Sequence, residues 1–273
     1  LLNVKKQVQQ IVDEVTAKNQ KRTGDIIIQY IDALRAVDVF ADEPGQYKVL
    51  GEYLKESIVF KQMQSVAPTT YESMYATITG NLPYTENVYE DRFILSLDEC
   101  ELLSNAYEKG YDLNLYSSAE WRIFKEDSRI RYVDQIHMTD KLWTLACDIA
   151  SNGKLTFNYM YYPWELHFPL LCGYHTKKPV AMGFKDVGIV DMSDFIEQQL
   201  QDCLTYVDAE FAYYKKLLPE KSYQVIFSDH SQIVYDPEKC VPFYCYATDT
   251  ERSTHCVLAI KGPGLEHEEI EHI

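Results

Sequence analysis

Asp25-Ile26-Ile27-Ile28-Gln29-Tyr30-Ile31, preceded by Gly24 and followed at once by Asp32, is the stretch on which the reading of this chain turns. Three consecutive β-branched residues in a short apolar run predict a strand buried on both faces, the kind found in parallel sheets. Upstream, Val4, Val8, Ile11, Val12 and Val15 recur at helical spacing, so residues 1–20 read as an amphipathic lead-in helix. Downstream come a helical stretch near Tyr47–Lys55 and a second apolar run, Ser57–Phe60. Ser96-x-x-Glu99 is a capping-box pattern, and Gly110 closes a helix near Lys109. Asp112–Tyr116, Leu155–Tyr162, Tyr223–Phe227 and Cys256–Ile260 read as further strands. Between them, Asp194–Leu218 is a long helix with Leu200, Cys203, Leu204, Val207 and Phe211 on one face. Strands alternating with helices predict an α/β fold, a mostly parallel sheet sandwiched by helices on both faces. No linker or repeat interrupts the pattern, so residues 1–273 read as one domain, with 266–273 as an acidic, solvated tail.

Apolar residues make up 46% of the chain, enough for a sizeable core. Acidic residues outnumber basic ones 42 to 26, a formal charge of −16, which repels phosphate backbones and argues against nucleic acid as a partner. A small anionic substrate stays compatible, because a bound divalent cation inverts the local field. No apolar run approaches the roughly 20 residues that span a bilayer. The chain opens on Leu1, so any membrane anchor or leader would lie outside this stretch. Seven cysteines without a Cys-x-x-Cys pair read as buried thiols rather than a disulfide framework.

In open α/β sheets, sites form at the carboxyl ends of strands. Three polar clusters occupy such ends: Asp32 after the first strand, Thr69-Thr70 after the Ser57–Phe60 run, and Ser228-Asp229-His230 after Tyr223–Phe227. Each alone has a bland reading. Asp32 can cap the segment holding Leu34 and Arg35, Thr69-x-x-Glu72 is a capping box, and Asp229-His230 can be a turn. Together they supply two carboxylates, an imidazole and a hydroxyl, a set able to hold a divalent cation against a threonine oxygen.

These residues resemble a known superfamily, that of alkaline phosphatases and sulfatases. IIIQYIDALRAVDVF resembles its first strand, where an acidic metal ligand is followed three residues later by Arg. VAPTTYESMYATITGNLP resembles its nucleophile helix, in which the nucleophile lies nine residues before the Thr of Thr-Gly; here that is Thr70. VIFSDHSQ resembles the late Asp-His metal motif, YPWELHFP a mid-chain histidine segment, and THCVLAIKGPG the late strand ending in Gly-Pro-Gly. The likeness runs in order from about residue 25 to 265. It implies Thr70 as nucleophile and His167 as proton donor to the leaving group. It implies one divalent cation, Zn or Mn before Mg or Ca, held by Asp32, Asp229 and His230 against Thr70, with His255 as an additional ligand. Arg35, His175, Trp121 and Arg122 are the implied substrate contacts.

Departures narrow the class. Sulfatases carry a convertible Cys or Ser, followed by Pro two residues on and Arg four residues on; here those positions are Thr70, Glu72 and Met74. A Thr nucleophile resembles instead the phosphoethanolamine transferase and lipoteichoic acid synthase branch. The implied activity is hydrolysis or transfer of a phosphate ester through a covalent phosphothreonine, on a small-molecule or lipid and envelope phosphoester. A sulfatase-like hydrolase acting through Thr70, and a degenerate member that binds an anion without turnover, remain the alternatives. The resemblance favours an extracytoplasmic or membrane-associated domain, whereas the free thiols favour a reducing compartment. The oligomeric state is left open.

Overall fold

The computed structural model describes residues 2–40, 47–83, 95–118, 123–167, 193–232, 235–236, 241–242 and 251–271. His175, Trp121 and Arg122 lie outside the described residues. Helices α1 (Leu2–Asn19), α2 (Ala36–Val39), α3 (Lys48–Lys55), α4 (Thr70–Thr79), α5 (Glu101–Glu108), α6 (Met138–Ser151), α7 (Ser193–Tyr214) and α8 (Glu251–Thr254) alternate with strands. The strands are β1 (Thr23–Ile31), β2 (Ile58–Phe60), β3 (Asp112–Ser117), β4 (Ile130–Asp134), β5 (Thr156–Tyr162), β6 (Lys221–Phe227), β7 (Tyr235–Asp236), β8 (Val241–Pro242), β9 (Leu258–Lys261) and β10 (Glu268–Ile270). An eight-stranded sheet runs in the order β10-β2-β9-β6-β1-β5-β3-β4, and β9 alone is antiparallel to its neighbours. The α/β architecture with a mostly parallel sheet is therefore as the sequence predicts.

The Ile-rich run becomes the central strand β1, flanked by β5 and β6, and its last five residues are buried. Side chains alternate across the sheet. Ile27, Ile31, Met160, Tyr162 and Ile226 face one core with Leu142, Leu145 and Ile149 of α6 and Leu204 and Val207 of α7. Ile28, Tyr30, Tyr159, Tyr161 and Phe227 face the other, with Met74 and Ile78 of α4 and Leu103 of α5. Asp32 and Asp229 continue the parity of Tyr30 and Phe227, the side on which α4 packs. The pattern of burial thus aims both carboxylates at the helix that begins with Thr70.

Three local expectations are corrected. The acidic tail is not wholly solvated: Glu268–Ile270 form the edge strand β10, pairing with Ile58–Phe60 while the two glutamates stay exposed. The long helix ends at Tyr214 rather than Leu218, where the N–H groups of Leu217 and Leu218 turn back to the Tyr214 carbonyl. Thr69 is the N-cap of α4 by backbone geometry, yet its hydroxyl donates to the Glu72 carboxylate instead of receiving a backbone N–H, so the reciprocal box does not form. Gly80 ends the same helix at φ 72°, the left-handed C-cap that glycine adopts without steric cost.

Candidate active site

Asp32 and Asp229-His230 follow the carboxyl ends of the paired strands β1 and β6, while Thr70 opens α4 from across the groove. Asp32 is 1% exposed, Asp229 and His230 2%, and Thr70 5%. The Thr70 hydroxyl lies 3.1 Å from His230 Nε2 and 3.4 Å from Asp32 Oδ2. His230 Nε2 is 3.4 Å from Asp32 Oδ1 and 3.5 Å from Asp229 Oδ2. Each group is also held by an atom pointing away from this centre. Tyr161 donates its hydroxyl to Asp32 Oδ2 at 2.7 Å. The Ala33 N–H reaches Asp229 Oδ1 at 3.3 Å, and His230 Nδ1 lies 2.7 Å from the Ser231 carbonyl. Ala33 sits at φ 58°, a left-handed conformation uncommon outside glycine, and it is what turns the chain just past Asp32.

The hydrogen-bond network assigns the His230 proton. Nδ1 faces a carbonyl oxygen, so it carries the proton and Nε2 presents a lone pair. Asp32 Oδ1 and Asp229 Oδ2 are buried without a hydrogen-bond partner among the described residues. Three acceptor atoms therefore converge, His230 Nε2 facing the Thr70 hydroxyl while Asp32 Oδ1 and Asp229 Oδ2 have no donor among the described residues, an arrangement that burial makes costly unless a cation is shared. Burial first, and the neighbouring Asp229 charge second, push the Asp32 carboxyl well above its usual pKa. Tyr161, Tyr159 and Tyr30 are likewise raised well above the phenol range, mainly by burial.

His167, half-buried after β5, stacks edge-on against His230 with ring centroids 5.8 Å apart. One ligand atom each of Asp32, His167 and His230 lie within 4.8 Å of one another, a grouping able to hold a metal ion. The structure thus brings together Asp32, Thr70, His167, Asp229 and His230, and sets His167 among the candidate ligands. It does not bring Arg35 or His255 there. Arg35 forks onto Asp38 through two bonds of 2.7 Å and reaches Glu197 at 3.0 Å. His255 Nε2 contacts the Lys61 carbonyl at 2.7 Å. Tyr161, whose hydroxyl bonds Asp32 Oδ2, reads in the sequence as a strand tyrosine able to line a pocket, with no sign of its bond to Asp32.

Beside this centre lies a small pocket, bounded by the carboxyl ends of β3, β4 and β5 and by Met74 of α4. Tyr161 belongs to both, its hydroxyl on Asp32 and its side chain in the pocket wall.

The fold is one shared with solved structures of phosphoethanolamine transferases, sulfatases and a protein of the alkaline phosphatase superfamily. Among solved structures, the C-terminal periplasmic domain of the phosphoethanolamine transferase EptC from Campylobacter jejuni matches with a TM-score of 0.64 at 13% identity, over 89% of this chain and 80% of that one. The phosphonate monoester hydrolase from Silicibacter pomeroyi matches with a TM-score of 0.66 at 14% identity, over 91% and 70%. The periplasmic domain of EptC from Escherichia coli, in complex with Zn, matches with a TM-score of 0.59 at 13% identity, over 89% and 74%. No protein-family model and no curated protein matches the sequence.

Proposed function

We propose that the chain is a metal-dependent phosphoryl hydrolase or transferase that works through Thr70 on a phosphate ester. The observation that carries this reading is the convergence of Thr70 Oγ1, His230 Nε2 and two unpartnered carboxylate oxygens in one buried cluster. Asp32, Asp229 and His230, with His167 or the Thr70 oxygen completing the set, are the residues that would hold the cation. Their mixed oxygen and nitrogen donors suit Zn or Mn before Mg or Ca. When bound, such an ion supplies Lewis-acid polarisation of the phosphoryl oxygen. The Zn complex of a structural neighbour supports a divalent metal.

The chain's own residues divide the remaining work. Asp32 Oδ2 accepts from the Thr70 hydroxyl, which gives the proton a destination as the oxygen attacks phosphorus. The new bond joins Thr70 Oγ1 to phosphorus, and the bond to the ester oxygen breaks. The first-turn N–H groups of α4, which opens at Thr70, would meet the phosphoryl oxygens, where the helix dipole favours negative charge. Where the Thr70 oxygen rather than His167 completes the cation's donor set, His167 is the group assigned to return a proton to the departing oxygen. Water or an acceptor alcohol then releases the phosphothreonine, and that choice separates hydrolase from transferase. Two neighbours are periplasmic domains, which supports an extracytoplasmic setting. No described helix is long and apolar enough to cross a membrane.

Thr70→Ala tests the reading. On a chromogenic phosphodiester with added Zn or Mn, kcat is expected to fall about a thousandfold or more, with the circular dichroism spectrum unchanged. Acid-quenched wild type is expected to carry a phosphoryl adduct on Thr70 by mass spectrometry. A residual rate within about tenfold of wild type removes Thr70 from the chemistry.

A further inference from the structure

The two imidazoles of the site ride on segments that leave the sheet on either side of β1. His230 follows β6 and His167 follows β5, and both strands pair with β1. Each segment is pinned around its histidine. In the first, the Ser228 N–H donates to the Val257 carbonyl and the Ser228 hydroxyl accepts the Val257 N–H, each at 3.0 Å. The Ser231 N–H then reaches the Ser253 carbonyl at 2.8 Å. In the second, the Lys141 ammonium donates to the Tyr161 carbonyl at 2.6 Å. The buried Glu165 carboxylate accepts the Met138 N–H at 2.9 Å, at the start of α6, where unpaired N–H groups and the helix dipole favour an anion. Gln232 ties the two segments together: its Nε2 donates to the Leu166 carbonyl at 2.7 Å. A carbonyl only accepts, so the amide presents its N–H there. Leu166 is buried with its side chain in the core that α6 and α7 cover, which leaves its backbone little room to shift. The next residue is His167, whose ring meets that of His230 edge-on at 5.8 Å.

Building on the metal-site reading above, with His167 completing the donor set, we propose that Gln232 is a positioning residue. Its amide holds the Leu166 carbonyl and thereby sets the His167 ring against His230 and Asp32. The bond closes a short circuit, from Gln232 to Leu166, on to His167, and across to His230. That circuit links the strands flanking β1, at whose carboxyl end Asp32 stands. A plainer account is that Gln232 satisfies the carbonyl of a buried residue and does nothing more. The two accounts differ in what the bond acts through. A bond that only satisfies the carbonyl affects Zn binding to the same extent with or without an imidazole at position 167. A bond that positions His167 acts through that imidazole, and its effect vanishes when the imidazole is removed.

The test is a double-substitution cycle on the Zn affinity of the full chain, read in competition with a chromophoric chelator. Gln232→Met keeps the length of the side chain, removes the donor, and is expected to weaken Zn binding about tenfold. His167→Ala is expected to weaken it at least as much. In the His167→Ala background, Gln232→Met is expected to add less than about twofold, because groups acting as one unit are not additive. Gln232→Glu keeps the shape but turns a carboxylate toward the carbonyl; it is expected to match Gln232→Met, and it carries the cycle should that variant not fold. Zn affinity of Gln232→Met within about twofold of wild type, beside a clear loss in His167→Ala, overturns the positioning role. An equal loss in both backgrounds overturns it too, since the bond then acts on Zn without His167. Unchanged Zn binding in His167→Ala removes His167 from the donor set and the proposal with it, while Asp32, Asp229, His230 and Thr70 stand. A wild-type chain that binds no Zn overturns the site reading itself.

Discussion

Asp25 and Asp32 stand at opposite ends of β1, both out of reach of solvent, and the protein treats them differently. Asp25 is fully answered. Arg22 donates to Oδ2 at 2.7 Å and to Oδ1 at 2.6 Å, and Thr156 adds its N–H and its hydroxyl, each at 2.9 Å. Asp32 has two hydroxyls on one oxygen, no hydrogen-bond donor on the other among the described residues, and a second carboxylate nearby. A buried carboxylate with a complete set of partners holds the fold, here tying the start of β1 to β5. One left half-bare, against another acceptor, is held in readiness for something the chain does not itself supply.

The pair of substitutions Asp25→Asn and Asp32→Asn separates these roles most sharply. Asp25→Asn leaves the Arg22 guanidinium short of its counter-charge and is expected to destabilise by about 3 kcal/mol, on the order of 10 °C in Tm. Asp32→Asn removes an uncompensated charge, so the metal-free protein is expected to melt at or above the wild-type temperature. Zinc at about a hundred times its Kd is expected to stabilise wild type and Asp25→Asn by about 2.7 kcal/mol, and Asp32→Asn by almost nothing. Differential scanning calorimetry with and without chelator reads all of these at once. Equal zinc responses in the two variants would dissolve the contrast.

How much of this contrast was legible beforehand depends on what each signal reports. The isoleucines of β1 announce burial on both faces, and Asp32, Thr70, Asp229 and His230 stand at or just beyond strand ends, where chain order alone suggests a site. Helix α6 left a readable signal in Leu142, Leu145, Ala146 and Ile149 at helical spacing, though only the strands and helices around it were assigned. Strand β10 left almost none, since an edge strand pairs through its backbone and Glu268 and Glu269 can stay in water. Arg35 and His255 show the limit of reading by proximity along the chain. Past Asp32 the backbone turns at Ala33, and Arg35 forms the ion pair that the abundant carboxylates made an equal reading, with its neighbour Asp38 and with Glu197, the second of which no local window contains. Tyr161 was hidden for the same reason: its bond to Asp32 depends on the register of β5 against β1.

A buried cation lies between the two aspartates in character. Lys141 is fully buried, donates to the Tyr161 carbonyl and has Glu165 near it, yet burial lowers its pKa from 10.5 to about 8. Above pH 8 the folded chain has released this proton while the unfolded chain still binds it, so stability rises with pH until the unfolded lysine titrates as well. Wild type is therefore expected to gain about 2 kcal/mol relative to Lys141→Met between roughly pH 7.5 and 10, by urea unfolding of the metal-free protein. Parallel pH curves for the two proteins would place Lys141 with Asp25, as a charge its partners fully satisfy.

The finest version of the comparison lies within one strand. Tyr159 and Tyr161 alternate with Met160 on β5, face the same core and pack around Tyr30, with ring centroids 5.9 and 4.6 Å from it. They differ in their hydroxyls: that of Tyr161 fixes Asp32 Oδ2, which leaves Oδ1 turned toward His230, while that of Tyr159 has no partner among the described residues. Outer groups that orient a ligand typically carry about tenfold or more of its metal affinity. Tyr161→Phe keeps the ring and its stacking, and is expected to weaken Zn binding about tenfold in competition with a chromophoric chelator. Tyr159→Phe removes a hydroxyl that orients nothing, so its Zn affinity is expected to stay within about twofold of wild type, and its Tm to hold or rise. If both variants lose Zn to the same extent, the aromatic packing rather than the Tyr161 hydroxyl sets the geometry of Asp32. If neither does, the Asp32 carboxylate is held well enough by Thr70 and the turn at Ala33 alone.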